Sequence, residues 1–270
     1  MTCLDYIGGA RDFWRPNHYK LKKYLIHDGK KHPFALICPG GGYSMVCSFL
    51  EGDPYAKELN RQGYHAFVLY YRVRKKAHYP APQQDVSRAL REIFDHAHTW
   101  NVDTDCYSLW GSSAGGHLAA SFGTEAMGYT NYDLPKPGAL ILVYPVVTMG
   151  EKTHAGSRDN LLGRNPENKW INLASVEKQV TPEYPPTFVW CGSEDHTVDP
   201  VNSEMLANAL RAYGIPCSYE VYPGVDHGVG LGKGLTCEGW FYHALRFWDQ
   251  QRTNTFLETE DCGNGILGTT

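Results

Sequence analysis

A serine between two glycines is the residue of this sequence best suited to nucleophilic chemistry. Ser113 stands at the centre of a G-x-S-x-G pattern, between a run typical of a β-strand and a run typical of a helix. A nucleophile in such a tight turn has strained backbone angles, and side chains at Gly111 and Gly115 would clash there. The N-terminus of the helix favours negative charge beside the serine. The pattern predicts that Ser113 attacks a carbonyl carbon, provided that other segments supply a base and an acid.

Two later loops offer these partners in the order acid, then histidine. A serine hydroxyl needs a general base, and an acid must orient that base. His227 follows the last predicted strand and is the expected base, whereas His196 lies beside the acid and is the histidine most easily mistaken for it. Asp195 comes just after an earlier strand and is the expected acid; Asp199 is the alternative, although its position predicts a helix cap. Asp226 is expected to be structural, because neighbours on one turn rarely face each other.

Three successive glycines supply a second element of acyl-transfer chemistry. The run Gly40-Gly41-Gly42 follows an early strand, and glycine lets the backbone approach a substrate and turn two N–H groups toward it. Such donors stabilise the oxyanion that forms when a carbonyl is attacked, and the N–H of Ala114, next to the nucleophile, would be the third. The alternatives are a flexible loop or a phosphate cradle. A phosphate loop needs Lys followed by Ser or Thr after the glycines, and this sequence lacks that pair.

Other candidate sites in the chain do not match known chemistry. The run from Gly228 to Gly234 resembles a nucleotide-binding loop, but it lacks the first glycine and the final Ser or Thr of that motif. His96 and His98 are two residues apart on a predicted helix, so their side chains diverge and cannot share a metal ion. The net charge of −4 argues against nucleic-acid binding. We therefore expect no metal, no cofactor and no nucleic-acid partner.

Predicted strands and helices alternate along the chain, which indicates an α/β fold. Of the 270 residues, 42% are hydrophobic, enough for one large domain over residues 1–270. Near-continuous apolar runs predict a mostly parallel sheet, buried on both faces by helices. Strands are predicted at Tyr19–Ile26, Pro33–Cys38, Ala66–Arg72, Tyr107–Trp110, Leu140–Tyr144, Thr187–Cys191 and Ser218–Tyr222. Helices are predicted at Pro54–Gln62, Gln83–Thr99, Ala114–Gly123, Asn202–Tyr213 and Glu238–Gln251.

One polar segment interrupts this alternation. Residues 148–186 are rich in Asn, Lys, Arg and Pro and contain one short helical stretch near Leu173–Lys178. We expect this segment to be a small polar cap inserted into the domain. The tail at residues 262–270 has no periodicity and is expected to fray.

Cysteine usage and hydropathy predict a cytoplasmic protein. The eight cysteines are scattered without a C-x-x-C pair, and several lie in apolar strand-like runs, which is typical of reduced thiols. The first twenty residues contain early acids and no apolar core of a signal peptide. The longest apolar run, Ala139–Val147, is too short to cross a bilayer, so no membrane partner is expected.

Taken together, the motifs resemble those of the α/β-hydrolase esterases, in particular the hormone-sensitive-lipase-like and feruloyl/acetyl-xylan-esterase group of bacteria. The resemblance covers roughly residues 20 to 250 and rests on Pro39–Tyr43, Tyr79–Val86, Asn101–Asp103, Gly111–Ala120, the Gly192-x-x-Asp195-x-x-Val198 pattern and His227-Gly228. It implies the α/β-hydrolase fold, with the amides of Gly41, Gly42 and Ala114 as oxyanion donors. Pro39 departs from the family pattern, since many members have His before the glycines.

The polar segment bears on the substrate, since a lipase that works at oil interfaces usually needs a broad apolar cap. Here the segment is mostly polar or charged, and Trp170 is its one tryptophan. Tyr43 and Trp170 could stack against a sugar ring, although aromatic residues at such positions pack inside as often. We expect a carboxylesterase that releases short acyl groups, acetate first, from a carbohydrate such as a xylo-oligosaccharide. The alternatives are an arylformamidase, a small-substrate lipase or peptidase of the same fold, or a non-catalytic binding module; a homo-oligomer is one option for the assembly.

Overall fold

A seven-stranded sheet runs through the centre of the described residues. The computed structural model describes residues 18–263, with the side chains of its last helix as far as residue 254. The strands are β1 Lys20–Tyr24, β2 His32–Cys38, β3 His65–Tyr70, β4 Val102–Ser112, β5 Ala139–Val143, β6 Thr187–Gly192 and β7 Cys217–Tyr222. Their order is β1-β3-β2-β4-β5-β6-β7; β1 is antiparallel to β3, and all other pairs are parallel. Each strand overlaps a predicted one, which confirms the mostly parallel sheet.

Eight α-helices connect and cover these strands within the described part of the chain. They are α1 Ser48–Glu51, α2 Asp53–Arg61, α3 Ala81–Asp95, α4 Ser113–Phe122, α5 Ala155–Leu162, α6 Asn168–Ala174, α7 Val201–Ala212 and α8 Trp240–Gly263. The five predicted helices correspond to α2, α3, α4, α7 and α8, although α8 continues well beyond its predicted end. The sequence does not predict α1 and α5, and the stretch predicted near Leu173–Lys178 is the end of α6 followed by a short 3-10 turn. Helices this short depend on tertiary contacts, which periodicity does not reveal.

Burial explains why the apolar runs form strands. Every residue of β5 is buried, as is every residue of β3, because helices cover both faces of the sheet. The edge strands β1 and β7 are only partly buried. On α3, Val86, Leu90 and Ile93 recur at helical spacing and are all buried, which fixes the helix in the core. Each such side chain contributes about 1.5–3 kcal/mol by leaving water.

Parallel pairing brings the carboxyl ends of the central strands to one edge of the sheet. Cys38 at the end of β2 pairs with Gly111 of β4, and Ser112 pairs with Val143 of β5. β6 ends beside them at Gly192, and β7 ends in register with β6. The loops that follow these strands therefore lie close together, at the edge where open α/β sheets bind ligands.

The polar segment between β5 and β6 contains α5 and α6 and lies against this edge. Nδ2 of Asn160 in α5 donates a hydrogen bond of 2.8 Å to the carbonyl of Gly42. The amides of Val147 and Thr148 donate to Oδ1 of Asn202 in α7, at 3.0 and 3.1 Å, and so hold the start of the segment. The segment contacts the glycine run, whereas its action as a cap stays a prediction. The tail predicted to fray lies largely outside the described residues.

The cysteines differ from the expectation in one respect. Cys47 is disulfide-bonded, so the expectation that all eight cysteines are reduced is wrong. Spacing along the chain cannot show which thiols meet in space, and cysteine usage therefore gives no support for a reducing compartment. The cytoplasmic location stays a prediction. Among the cysteines whose side chains the structure describes, those with free thiols are Cys38, Cys106, Cys191, Cys217 and Cys237.

Over the residues that the structure describes, no helix has both the length and the apolar character that crossing a bilayer requires.

Candidate active site

Ser113 lies in the sharp turn between β4 and α4. Its φ is +53°, in the left-handed region that residues other than glycine rarely adopt. A Cβ at Gly111 would lie 2.2 Å from the carbonyl oxygen of Gly115, and a Cβ at Gly115 would lie 2.0 Å from that of Cys38. Neither position accepts a side chain. Because the two glycines lack side chains, the turn can close and hold Ser113 at the carboxyl ends of the strands. This is the steric reason for glycine that the G-x-S-x-G pattern predicts.

A continuous chain of hydrogen bonds joins Ser113, His227 and Asp195. Oγ of Ser113 lies 2.9 Å from Nε2 of His227, and Nδ1 of His227 lies 2.7 Å from Oδ2 of Asp195. All three residues are buried, with 6–7% of their surface exposed, which strengthens these bonds. Because a carboxylate only accepts, Nδ1 carries the proton and Nε2 is free to accept the serine hydroxyl. In this geometry the imidazole can take the proton of Ser113 while the carboxylate orients the ring.

The backbone fixes the orientation of the Asp195 carboxylate. Its Oδ1 accepts hydrogen bonds from the amides of Thr197 and Val198, at 2.9 and 2.8 Å. These two bonds close a tight turn directly after β6 and leave Oδ2 for the imidazole of His227. The position of an aspartate just beyond a strand end therefore has a structural reason as well as a chemical one.

The other candidate acids have different partners. Oδ1 of Asp199 accepts the amide that opens α7, at 3.0 Å, and Nζ of Lys152 lies 3.2 Å from its Oδ2. The backbone hydrogen bond is the main cause that lowers the pKa of the Asp199 carboxyl. Oδ1 of Asp226 accepts the amides of His196 and His227, not an imidazole. Asp199 thus supports a helix start, as its position predicts, and Asp226 shapes the loop of His227.

The glycine run turns sharply after β2. Gly41 and Gly42 have φ values of +128° and +62°, in the region that favours glycine. The carbonyl of Gly41 accepts hydrogen bonds from the amides of Ser44 and Met45, at 2.9 and 3.2 Å, so the chain folds back on itself. A side chain at Gly41 would lie 2.4 Å from the carbonyl oxygen of Met45. This loop therefore requires glycine, and it is not merely a flexible connection.

Backbone amides beside the nucleophile are free to bind a developing negative charge. Within residues 18–263, nothing accepts a hydrogen bond from the amide of Gly41 or Gly42. Ala114 is the second residue of α4, and the amides in the first turn of a helix have no acceptor inside the helix. Gly41 and Gly42 border the same cavity as Ser113 and His227. The role of the Gly41, Gly42 and Ala114 amides as oxyanion donors stays a prediction.

A cavity of about 200 Å³ opens at Ser113. Four of its lining residues belong to the predicted motifs, and the other six come from the turn between the glycine run and α1, from α1 itself, from the polar segment and from the Asp195 loop. Short motifs do not mark these six residues, because only folding brings them together. The lining consists of Gly41, Gly42, Ser44, Met45, Cys47, Glu51, Ser113, His154, Thr197 and His227.

His154 brings a hydrogen-bond donor from the polar segment to the cavity. It caps α5, and its Nδ1 accepts the amide of Ser157 at 3.2 Å. Since an amide can only donate, the neutral ring carries its proton on Nε2. Burial, with a smaller effect of His227, lowers the pKa of His154 and favours this neutral form. A Cβ at Gly42 would lie 3.5 Å from Cε1 of His154, so the ring lies over the glycine loop.

Tyr43 is not a substrate contact, which corrects the expectation from the sequence. Its side chain is fully buried, and its hydroxyl donates to Nδ1 of His117 at 2.8 Å. Nε2 of His117 donates to the carbonyl of Ala174 in α6, also at 2.8 Å. Burial lowers the pKa of His117 to about 4, so the ring is neutral. Tyr43 therefore ties the glycine loop to α4 and α6, and its ring cannot stack on a sugar.

Trp170 lies apart from the catalytic cavity. The indole is 38% exposed, and it borders a separate pocket of about 90 Å³ with His78, Tyr79 and the end of α5. A contact between Trp170 and sugar stays a prediction. In the part of the chain that is described, no group of three or more His, Cys, Asp or Glu side chains could hold a metal ion.

Comparison with known proteins points to esterases. A protein-family model named BD-FAE matches residues 24–210, more than half of the chain. Endo-1,4-beta-xylanase B of Butyrivibrio fibrisolvens is 37% identical over 259 residues, which are 89% of this chain and 41% of that protein. Acetylxylan esterase of Xylanibacter ruminicola is 35% identical over 211 residues, which are 76% of this chain and 42% of that protein. The chain spans about two fifths of the length of these two curated relatives.

Solved structures share the fold. The acetyl ester-xyloside bifunctional hydrolase from Caldicellulosiruptor lactoaceticus has a TM-score of 0.74 and 34% identity, covering 84% of this chain and 88% of that chain. The carboxylesterase Cest-2923 from Lactobacillus plantarum WCFS1 has a TM-score of 0.73 and 26% identity, covering 86% and 92%. Fold and site together define a protein of the α/β-hydrolase class. The chain belongs to the BD-FAE family, which confirms the resemblance that its motifs carry.

Proposed function

We propose that this protein is a serine carboxylesterase that removes short acyl groups, acetyl first, from carbohydrate esters such as acetylated xylo-oligosaccharides. The hydrogen-bonded chain of Ser113, His227 and Asp195 at a small cavity is the observation that carries this proposal. The names of two relatives support the acetyl ester, since one is an acetylxylan esterase and the other an acetyl ester-xyloside hydrolase.

In the first half of the reaction, Oγ of Ser113 forms a bond to the carbonyl carbon of the ester while Nε2 of His227 takes its proton. The amides of Gly41, Gly42 and Ala114 bind the oxyanion of the tetrahedral intermediate, and each such donor is worth about 10²–10³-fold in rate. The C–O bond to the alcohol then breaks, and His227 returns the proton to the departing alkoxide. An acyl group remains on Ser113.

In the second half, water takes the place of the alcohol. His227 removes a proton from the water as it attacks the acyl carbon, and the same amides hold the second oxyanion. Collapse of that intermediate breaks the bond to Ser113, which regains its proton from His227. Asp195 orients the ring and stabilises the imidazolium in both halves.

The size of the cavity supports a short acyl group. Its volume of about 200 Å³ is below the roughly 300–1,000 Å³ of pockets that enclose drug-sized ligands. Met45 lies on the wall, and the glycine loop folds back at this point. A long fatty acyl chain would have to leave the cavity into water. Acetyl and similar groups fit inside, whereas the alcohol part of the ester meets the polar segment through His154.

Initial rates on p-nitrophenyl acetate, butyrate and palmitate test the acyl preference, with Ser113→Ala as the control. We expect acetate to be hydrolysed fastest and palmitate hardly at all, and Ser113→Ala to lose about 10⁴–10⁶-fold. Acetate release from acetylated xylo-oligosaccharides, compared with methyl acetate, then tests the carbohydrate. A preference for palmitate would refute the short acyl group, and equal kcat/KM on both acetate esters would refute sugar recognition. Preferred turnover of N-formylkynurenine would indicate an arylformamidase instead.

A further inference from the structure

Glu51 is a buried carboxylate that the proposed reaction does not use. It is the last residue of α1, only 2% of its surface is exposed, and it borders the same cavity as Ser113. Burial raises the pKa of this carboxyl, and the nearby His227 acts in the opposite direction. A carboxylate is costly to remove from water unless hydrogen bonds compensate for the loss. The two oxygens of Glu51 therefore need strong partners, and both have them.

One oxygen holds the loop that carries the oxyanion donors. Oε2 of Glu51 accepts a hydrogen bond of 2.8 Å from the amide of Gly40. Gly40 directly precedes Gly41, so this bond fixes the backbone from which the donor amides extend. A Cβ at Gly40 would lie 2.6 Å from Oε2 of Glu51 and 2.9 Å from Cβ of Ser113. Because the three residues are packed this tightly, a shift of the carboxylate would move the loop relative to the nucleophile.

The other oxygen reaches the loop that carries the base. Oε1 of Glu51 accepts the hydroxyl of Tyr144 at 2.8 Å, and that hydroxyl oxygen accepts the amide of Gly230 at 3.2 Å. Gly230 is three residues beyond His227, whose ring centroid lies 4.6 Å from that of Tyr144. The φ of Tyr144 is +38°, a strained conformation of the kind that clusters at functional sites. Glu51 and Tyr144 thus connect the base loop with the oxyanion loop.

Several groups that could carry charge surround His227. Burial raises the pKa of Tyr144 well above its usual value, so its phenol stays neutral, and His154 is neutral for the reason given above. The negative groups come from three different segments, namely the loop after β6, α1 and the loop of His227 itself. These groups are Asp195, Glu51 and Asp226. Asp195 and Asp226 each make a direct hydrogen bond to His227, and Glu51 is the one of the three that makes none.

We propose that Glu51 is a positioning residue for the reaction at Ser113. Its two hydrogen-bond partners keep the oxyanion amides and the imidazole of His227 in a fixed relation. Its negative charge favours the imidazolium that forms when the proton leaves the serine, as preorganised charges do in water-excluded sites. The inference rests on the proposed function, because it gives Glu51 a part in the same acyl transfer.

Glu51→Gln is the main test, because it keeps the shape of the side chain and removes the charge. The new amide can accept with one atom only, so its NH2 group must face either the amide of Gly40 or the hydroxyl of Tyr144. Tyr144→Phe is the second variant, since it cuts the link to Gly230 and leaves the charge in place. Glu183→Gln is the matched control; its carboxylate is exposed and pairs with Lys136 on the surface.

The readouts are kcat and KM on p-nitrophenyl acetate and the pH profile of kcat/KM. For Glu51→Gln we expect kcat to fall by about 10–100-fold at nearly constant KM. The acidic limb of its profile should move to lower pH by about half a unit, because the imidazolium loses a nearby negative charge. Tyr144→Phe should lower kcat and leave the limb in place, and Glu183→Gln should match the wild type. A kcat loss with an unmoved limb in Glu51→Gln would overturn the proposal, as would wild-type kinetics.

Two further measurements keep the test decisive. If thermal denaturation shows that Glu51→Gln does not fold, Glu51→Asp takes its place as the test. This variant retains the charge, so it should lower kcat without moving the acidic limb of the pH profile. A wild-type kcat in Glu51→Asp would overturn the proposal. The rate at which a fluorophosphonate labels Ser113 can be measured without knowing the natural substrate. In the Glu51 variants we expect this rate to fall in parallel with kcat. Normal labelling of the wild type without ester turnover would refute the proposed function, and the labelling rates would still decide the role of Glu51.

Discussion

Replacing Asp195 by Asn changes one atom of the side chain and should nearly stop the reaction. Oδ1 of Asp195 accepts the amides of Thr197 and Val198 at 2.9 and 2.8 Å. In Asp195→Asn these donors hold the carbonyl oxygen, which turns the NH2 group toward Nδ1 of His227. Nδ1 must then accept, so the proton of the neutral ring moves to Nε2, which faces Ser113. A protonated Nε2 cannot take the proton of the serine.

The expected loss in kcat for Asp195→Asn is about 10⁴-fold, or about 5 kcal/mol of transition-state stabilisation. KM should change little, since Asp195 is not among the residues that border the cavity. Initial rates on p-nitrophenyl acetate measure both constants. Asp199→Asn is the matched control, because it removes the same charge from a carboxylate that pairs with Lys152, and its kcat should stay within about twofold. Two results would show that Asp195 is not the orienting acid: a kcat of Asp195→Asn that is at least a tenth of the wild-type value, or a larger loss of kcat in Asp199→Asn than in Asp195→Asn.

Three other substitutions test buried contacts and the cavity wall. Tyr43→Phe leaves Nδ1 of His117 without a donor and should lower the free energy of unfolding, measured in urea, by about 1–3 kcal/mol. The KM for acetylated xylo-oligosaccharides should not change, and a raised KM would indicate that Tyr43 contacts the sugar after all. Burial lowers the pKa of His117 from 6.5 to about 4, so the unfolded state binds this proton more readily. The free energy of unfolding should therefore fall by up to about 3 kcal/mol as the pH drops from about 6.5 to 4, and His117→Gln should flatten this pH dependence. If urea denaturation shows the same pH dependence in His117→Gln as in the wild type, His117 is not the neutral buried group that causes it. Met45→Ala enlarges the cavity and should raise kcat/KM for butyrate relative to acetate by about tenfold; a constant ratio would mean that another residue limits the acyl group.

The parts of the site that the sequence predicts are those set by local sterics and strand ends. Gly111 and Gly115 flank Ser113 because any strand-to-helix turn this tight excludes a Cβ on either side. Asp195 and His227 each come shortly after a strand, so predicting the strands also predicts the edge where the two residues meet. The strands themselves are predictable because burial on both faces demands an unbroken apolar run.

The parts that the sequence does not predict depend on contacts between distant segments. Tyr43 has a φ of +55°, and its ring lies inside, where its hydroxyl meets His117 on a distant helix. α5 is an eight-residue helix with an internal glycine, and Asn160 fastens it to the glycine loop. Glu51 belongs to no motif, because its partners lie on two other loops. Cys47 forms a disulfide that no spacing rule signals.

A loop made of glycines is a poor carrier of oxyanion donors unless other segments hold it still. Glycine loses more conformational freedom on folding than any other residue, and donors that reorient during the reaction lose much of their effect. In this protein, four of the contacts that hold the loop Pro39–Tyr43 involve side chains of four other segments, each at 2.6–2.8 Å. The contacts are the Tyr71 hydroxyl on the carbonyl of residue 39, Glu51 on the amide of residue 40, Asn160 on the carbonyl of residue 42, and His117 on the hydroxyl of residue 43. None of them uses the amides of residues 41 and 42, which border the same cavity as Ser113 and stay available for the proposed oxyanion.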